Sequence, residues 1–275
     1  MSDRAADLAR IEKALAVAGN VLAAFTPGGL SASSKANSDP VTEADLAVDF
    51  ALKAELVDDG EGWLSEETAD DDARLQTRRV WVVDPLDGTK EYVEGLPEWC
   101  VSIGLVEDGQ AVAGGIFNPA AGFLALGAEG LGCHLNGSPV FVSQACELRG
   151  ARVLASRSEV RRGEWQRWDG SEVAVVPMGS VAYKLARVAC GLADATWTLV
   201  PKHEWDVAAG VALVRAAGGW AVTLNGQAPR FNQPRPWLSG LIAAAPGLAG
   251  ELEPEVLLAR QNGRAEADGK GALLD

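Results

Sequence analysis

Apolar residues recur at helical spacing from the first turns of the chain. Leu8, Ile11, Leu15, Ala18, Leu22 and Phe25 share one face, and Pro27-Gly28-Gly29 ends the pattern, which predicts a helix over 3–25. A polar stretch over 31–39 reads as a loop. A second helix starts at Thr42 and carries Leu46, Phe50, Lys53 and Leu56. Residues 80–84 form a short, continuously apolar run closed by Asp84-Pro85, which predicts a buried strand that stops abruptly. Two further runs, 100–106 and 111–117, are joined through Glu107-Asp108-Gly109-Gln110, and the Asp-Gly pair predicts a hairpin. With strands expected over 123–126 and 131–135, the first half reads as two helices on an antiparallel sheet.

The second half alternates differently. Strands are expected over 153–156, 195–200, 221–224 and 241–245, and helices over 180–189 and 207–217. The fold class this predicts is α+β, with a division into 1–148 and 149–275. The polar, Gly-rich stretch after Arg260 reads as a frayed tail.

Composition narrows the classes of function. Apolar residues make up 48% of the chain and charged ones 23%, as in an ordinary globular protein. No apolar run approaches the ~20 residues that span a bilayer, which argues against a membrane partner. The start, Met1-Ser2-Asp3-Arg4, lacks the apolar core of a signal peptide, so a cytoplasmic location is expected. Cys100, Cys133, Cys146 and Cys190 are scattered without a C-x-x-C pair, which argues against a zinc site and a disulfide scaffold and predicts buried thiols. A formal net charge of −14 argues against a nucleic acid polymer as partner. It also raises the question of whether some carboxylates cluster around cations.

The stretch Trp81-Val82-Val83-Asp84-Pro85-Leu86-Asp87-Gly88-Thr89 suggests that they do. Pro85 obstructs a regular strand and Gly88 permits a tight turn, which would gather Asp84, Asp87 and Thr89. Hard oxygen donors of this kind suit Mg²⁺ or Mn²⁺. The same residues also make an ordinary polar turn, so the motif alone leaves both readings open. Three other segments bear on the choice. Ser65-Glu66-Glu67 follows a possible strand end. Thr42 with Asp45 forms a capping-box pattern. Asp206, in Glu204-Trp205-Asp206-Val207-Ala208-Ala209-Gly210, opens a helix that it could cap. Each has a structural explanation alone, but together they place four acidic sites in order along the chain. A phosphatase with a nucleophilic Asp-x-Asp pair is disfavoured, because two residues separate Asp84 from Asp87.

With these motifs in view, the sequence resembles the inositol monophosphatase superfamily. The resemblance rests on Asp-Pro-Leu-Asp-Gly-Thr at 84–89, Trp-Asp-Val-Ala-Ala-Gly at 205–210, their order and separation, and the intervening Gly179-Ser180. It covers residues 5–245 and implies a layered αβαβα sandwich of the sugar-phosphatase type. It also implies a Mg²⁺-dependent, Li⁺-sensitive phosphomonoesterase with two or three ions, acting on a small phosphorylated metabolite, and it suggests a homodimer. By that resemblance Glu66, Asp84, Asp87 and the carbonyl of Leu86 would ligate metal, and Asp206 would complete a second site. Glu66 and Thr89 would position and help deprotonate the attacking water, with Asp45 tuning the site. The amides of Gly88 and Thr89 would receive the phosphate.

Two features bear on the substrate. Lys90-Glu91-Tyr92 resembles the run after the central motif in the 3′(2′),5′-bisphosphate nucleotidase branch. Leu199 stands seven positions before Asp206, where inositol monophosphatases place an acidic residue. Adenosine 3′,5′-bisphosphate is therefore the first expectation, with inositol 1-phosphate or a related sugar phosphate the alternative. A non-catalytic phosphometabolite-binding protein is the remote one. Lys90, Gly179, Ser180 and Lys202 are expected to contact substrate. His203 reads as structural or substrate-facing, and Tyr183 and Lys184 as pocket-lining or helix-packing.

Overall fold

The computed structural model describes residues 3–29, 33–34, 40–70 and 72–252. Most of the expected loop at 31–39 and the whole of the expected tail lie outside them. Helix α1 (Arg4–Leu22) is capped by Asp3, whose carboxylate accepts from the Ala5 and Ala6 amides, and it buries Ile11, Ala14, Leu15, Ala18 and Leu22. Two-residue strands β1 (Ser33–Ser34) and β2 (Pro40–Val41) pair antiparallel ahead of α2 (Glu43–Leu56). The α2 start is the predicted capping box, with Asp45 Oδ2 accepting from the Thr42 amide at 2.8 Å.

The expected apolar face of α2 is corrected. Ala44, Val48, Leu52 and Leu56 are buried, whereas Leu46 and Phe50 are exposed. The buried side also carries Asp45 and Asp49, whose carboxylates find hydroxyl donors there.

The main sheet has seven strands in chain order: β3 (Gly62–Ser65), β4 (Arg79–Asp87), β5 (Cys100–Glu107), β6 (Gln110–Asn118), β7 (Phe123–Ala128), β8 (Gly132–Leu135) and β9 (Ser138–Val140). Asp108 and Gly109, both at positive φ, close the predicted two-residue hairpin between β5 and β6. Contrary to expectation the sheet is not wholly antiparallel, since β3 and β4 pair parallel, Ser65 beside Val83. Parallel strands run the same way, so both finish at the same end of the sheet. Glu66 thereby comes out beside Asp84.

Short helix α3 (Thr89–Val93) follows β4. The second sheet contains β10 (Arg152–Ser156), β11 (Ala174–Met178), β12 (Ala195–Thr198), β14 (Trp220–Thr223) and β16 (Leu241–Ala244), in the order β11-β10-β12-β16-β14. Helix α4 (Arg157–Arg161) follows β10, and α5 (Val181–Ala189) precedes β12. A small ladder of β13 (Lys202–His203) and β15 (Trp237–Leu238) flanks the start of α6 (Glu204–Ala216).

One apolar cluster joins α1 and α2 to the near face of the main sheet, and another fills the space around α5 and α6 between the sheets. A third covers the outer face of the second sheet, where Trp165 stacks on Trp197 at 4.7 Å. The architecture is α+β in layers, as expected. Its central layer fits closely because α6 presents Ala208 and Ala209 to glycines of the sheet. A Cβ at Gly114 would lie 2.5 Å from the Ala209 carbonyl oxygen. Cys100, Cys133 and Cys190 are buried as expected, but Cys146 is exposed, and all four are free thiols.

At the far end of β4 from the site, Glu61 accepts from Arg10, from Arg79 and from Trp81 Nε1 at 2.8 Å. Its carboxyl lies at about 2 against an ordinary 4.5; burial opposes the shift, and the hydrogen bonds from Arg10, Trp81 and Arg79 outweigh it. A depressed carboxyl stabilises the fold above its ordinary range and loses that contribution as pH falls toward about 2. Glu61→Gln is expected to cost about 1–3 kcal/mol at pH 7 and less at pH 3, measured by urea unfolding at both. An equal cost at the two pH values would refute the ionic origin.

Candidate active site

The site is built around an irregularity at the end of β4. Asp84 pairs with Ser102 and Asp87 with Cys100, so three steps along β4 match two along β5. Pro85 has no N–H for the ladder, and the extra residue makes a bulge. The expected stop at Asp84-Pro85 is thus a displacement, and the strand runs on to Asp87. In a regular strand residues three apart face opposite sides. The bulge resets that phase, and Asp84 and Asp87 border one cavity. The Leu86 amide donates to Asp84 Oδ1 at 3.0 Å, holding the turn. Gly88 follows with φ of 98°, where an added Cβ would meet the Glu98 carbonyl oxygen at 2.8 Å. The Thr89 hydroxyl lies 3.0 Å from the Leu86 carbonyl oxygen and 3.1 Å from Asp45 Oδ1, able to donate to either.

Two distant segments complete the cavity. Glu66 arrives from the end of β3, and the loop that carries it is held by Asp49, which accepts from Ser65 Oγ and from Thr68 Oγ1. Asp206 arrives at the start of α6 as its third residue, not as the cap. Its Oδ2 accepts from the His203 amide at 3.1 Å. The cavity, of about 180 Å³, is bordered by Glu66, Asp84, Leu86, Asp87, Gly88, Thr89, Lys90, Glu91 and Asp206.

Its electrostatics are those of carboxylates crowded together. Burial, then repulsion from Glu66, Asp87 and Asp206, pushes the Asp84 carboxyl well above the usual carboxylate range. Asp206 is pushed up to about 8 by burial and by Asp87, against the opposing charge of Lys202. Burial also raises Asp87, against hydrogen bonds from Ser180 Oγ at 2.7 Å and the Ala182 amide at 2.5 Å. Among the described residues no three His, Cys, Asp or Glu side chains are grouped so as to hold a metal ion as they stand. Glu66, Asp84, Asp87 and Asp206 nonetheless border one cavity and repel one another, and an all-oxygen donor set of this kind fits a hard divalent cation such as Mg²⁺.

Other sequence-predicted residues stand behind this wall. Asp45 reaches the cavity only through Thr89, and burial raises its carboxyl. Gly179 and Ser180 do not border the cavity. Ser180 holds Asp87, and the Gly179 amide donates to Glu98 Oε2 at 2.7 Å. Lys202 lines a small adjoining pocket with Lys184, Glu159 and Thr198, while its charge acts on Asp206 and Asp87. Tyr183 packs edge-on against Phe123 at 5.2 Å, which is the helix-packing role. The His203 ring stacks on Trp205 at 4.4 Å. Lys184, buried on α5, donates to the Ser180 carbonyl at 3.0 Å. Sequence reasoning missed Asp49. Its i+4 spacing from Asp45 on one helix was the available signal.

The profile of the inositol monophosphatase family matches residues 5–264. The chain belongs to this family. Its members are metal-dependent phosphatases of phosphate monoesters, with Mg²⁺ as the family's ion, and this chain is such an enzyme. Among relatives, the Nus factor SuhB of Xylella fastidiosa is 37% identical over 195 residues, covering 68% of this chain and 70% of that protein. The inositol-1-monophosphatase of Rhizobium meliloti is 32% identical over 206 residues, covering 72% and 77%. Among solved structures, the Thermotoga maritima IMPase superposes with a TM-score of 0.80 at 25% identity, over 94% of this chain and 99% of that one. No helix among the described residues is long and apolar enough to cross a membrane.

Proposed function

We propose that the chain releases phosphate from a polyol monophosphate of the inositol 1-phosphate kind. The observation that carries the chemistry is the single cavity bordered by Glu66, Asp84, Asp87 and Asp206. The substrate class is supported by relatives named inositol-1-monophosphatase, matched over more than two-thirds of both chains. A second reading, adenosine 3′,5′-bisphosphate, is favoured by Lys90 and Glu91 on the cavity wall and by Leu199 in place of an acid. Sequence motifs alone rank the two the other way; the relatives reverse the order.

In this reading residues 1–148 supply Glu66, Asp84, Asp87 and the Leu86 carbonyl to two or three Mg²⁺ ions, and 149–275 supply Asp206. Bound there, Mg²⁺ offsets phosphate charge and lowers the pKa of a bound water. The chain's own groups do the rest. The amides of Gly88 and Thr89 orient the phosphate. Glu66 faces the attacking water. The Thr89 hydroxyl accepts a hydrogen bond from that water while donating its own proton to Asp45 Oδ1, at 3.1 Å. Ser180 and the Ala182 amide hold Asp87 Oδ2, leaving Oδ1 for the cavity.

The test is a comparison of kcat/KM for inositol 1-phosphate and adenosine 3′,5′-bisphosphate in Mg²⁺. A higher value for inositol 1-phosphate is expected. A tenfold preference for the bisphosphate would put the second reading first. No release from either would favour a non-catalytic binding protein.

A further inference from the structure

Five carboxylates border the cavity, and the proposed function gives four of them a place in the metal site. The fifth is Glu91, on α3. Among the described residues its carboxylate takes part in no ion pair, and the one hydrogen bond it accepts comes from its own backbone amide. Two of the nearby cations are engaged elsewhere. Arg157 pairs with Glu98, and Lys184 donates to the carbonyls of Ser180 and Met178.

The position of this carboxylate is built into the fold. A Cβ on Gly179 would lie 2.4 Å from Glu91 Cδ and 2.5 Å from its Oε1. Gly179 is not among the glycines at positive φ, so its missing side chain answers a close approach, not a torsion. The chain thus leaves out a side chain at 179 to seat a carboxylate that no other described residue satisfies. Glu91 is also one of the residues bordering the cavity in which the phosphate ester must lie.

An ionised carboxylate only accepts hydrogen bonds, so what it can take from a bound ester is an O–H or N–H donor. We propose that Glu91 determines specificity by accepting a hydrogen bond from a substrate hydroxyl next to the phosphorylated oxygen. The proposal rests on the phosphatase reading and holds for either substrate named above. Inositol 1-phosphate and adenosine 3′,5′-bisphosphate both carry a hydroxyl beside a phosphate. A carboxyl left without that donor disfavours esters that lack it.

The test measures kcat/KM for the better of those two esters and for p-nitrophenyl phosphate, which has no hydroxyl. Glu91→Ala is expected to lose at least about tenfold more on the hydroxyl-bearing ester than on the aryl ester. Glu91→Gln, which keeps an acceptor oxygen, recovers part of that ratio. Gly179→Ala displaces the flexible end of Glu91 and shifts the ratio the same way, but adds nothing further in a Glu91→Ala background. Equal losses on both esters, or an undiminished Gly179→Ala effect without Glu91, would overturn the proposal while leaving the phosphatase reading intact. No phosphate release by the unaltered chain would overturn both.

Discussion

Asp84→Asn is expected to abolish Mg²⁺-dependent phosphate release, by on the order of a thousandfold or more, while raising the melting temperature of the metal-free protein. The two effects have one cause. Asp84 is buried among Glu66, Asp87 and Asp206, and burial with repulsion lifts its carboxyl well above the ordinary 3.8. A group raised in the folded state favours folding at low pH and costs stability once pH exceeds its ordinary value. Asparagine removes the charge and keeps the oxygen that accepts from the Leu86 amide. Melting curves in chelator at pH 8, beside phosphate-release assays in Mg²⁺, check both halves. A lower melting temperature with activity retained would show that Asp84 serves packing, not metal.

Mg²⁺ is expected to stabilise the protein more as pH rises from 6 to 9, and activity at limiting Mg²⁺ should rise over the same range. Asp206 lies at about 8 in the metal-free chain and Asp84 is raised as well, so both must give up protons before they can ligate. At a hundred times its dissociation constant a ligand adds about 2.7 kcal/mol, and protonation of the site erodes that gain below about pH 8. Thermal shifts on adding Mg²⁺ at three pH values measure it, and Asp206→Asn should flatten the dependence. A shift independent of pH, or full activity in chelator, would remove metal binding from this cavity.

Much of the site was legible because its chemistry is local. Asp84, Pro85, Asp87 and Gly88 announce a turn that gathers oxygen ligands within a few residues. Thr42 and Asp45 announce a helix start, and Asp108-Gly109 a hairpin. Each depends on torsional preference and near-neighbour hydrogen bonds, which short stretches of sequence carry. The buried face of α2 was misread because Leu46 and Phe50 look like core residues, while the sheet needs the side bearing Ala44, Val48 and the paired acids. Apolar spacing alone does not say which of two faces a sheet will cover.

Sequence by itself determined the acidic residues of the site, the segments that carry them and the α+β class. Tertiary structure decided how those segments meet. Parallel pairing of β3 with β4 brings Glu66 to Asp84, and the bulge at Pro85 turns Asp84 and Asp87 to one side. The glycine-lined seat of α6 carries Asp206 across, and the α5 corner brings the Ser180 hydroxyl to Asp87. Register and helix docking are set by packing between residues far apart in the chain, where no local preference acts, and the cavity exists only once that packing is complete.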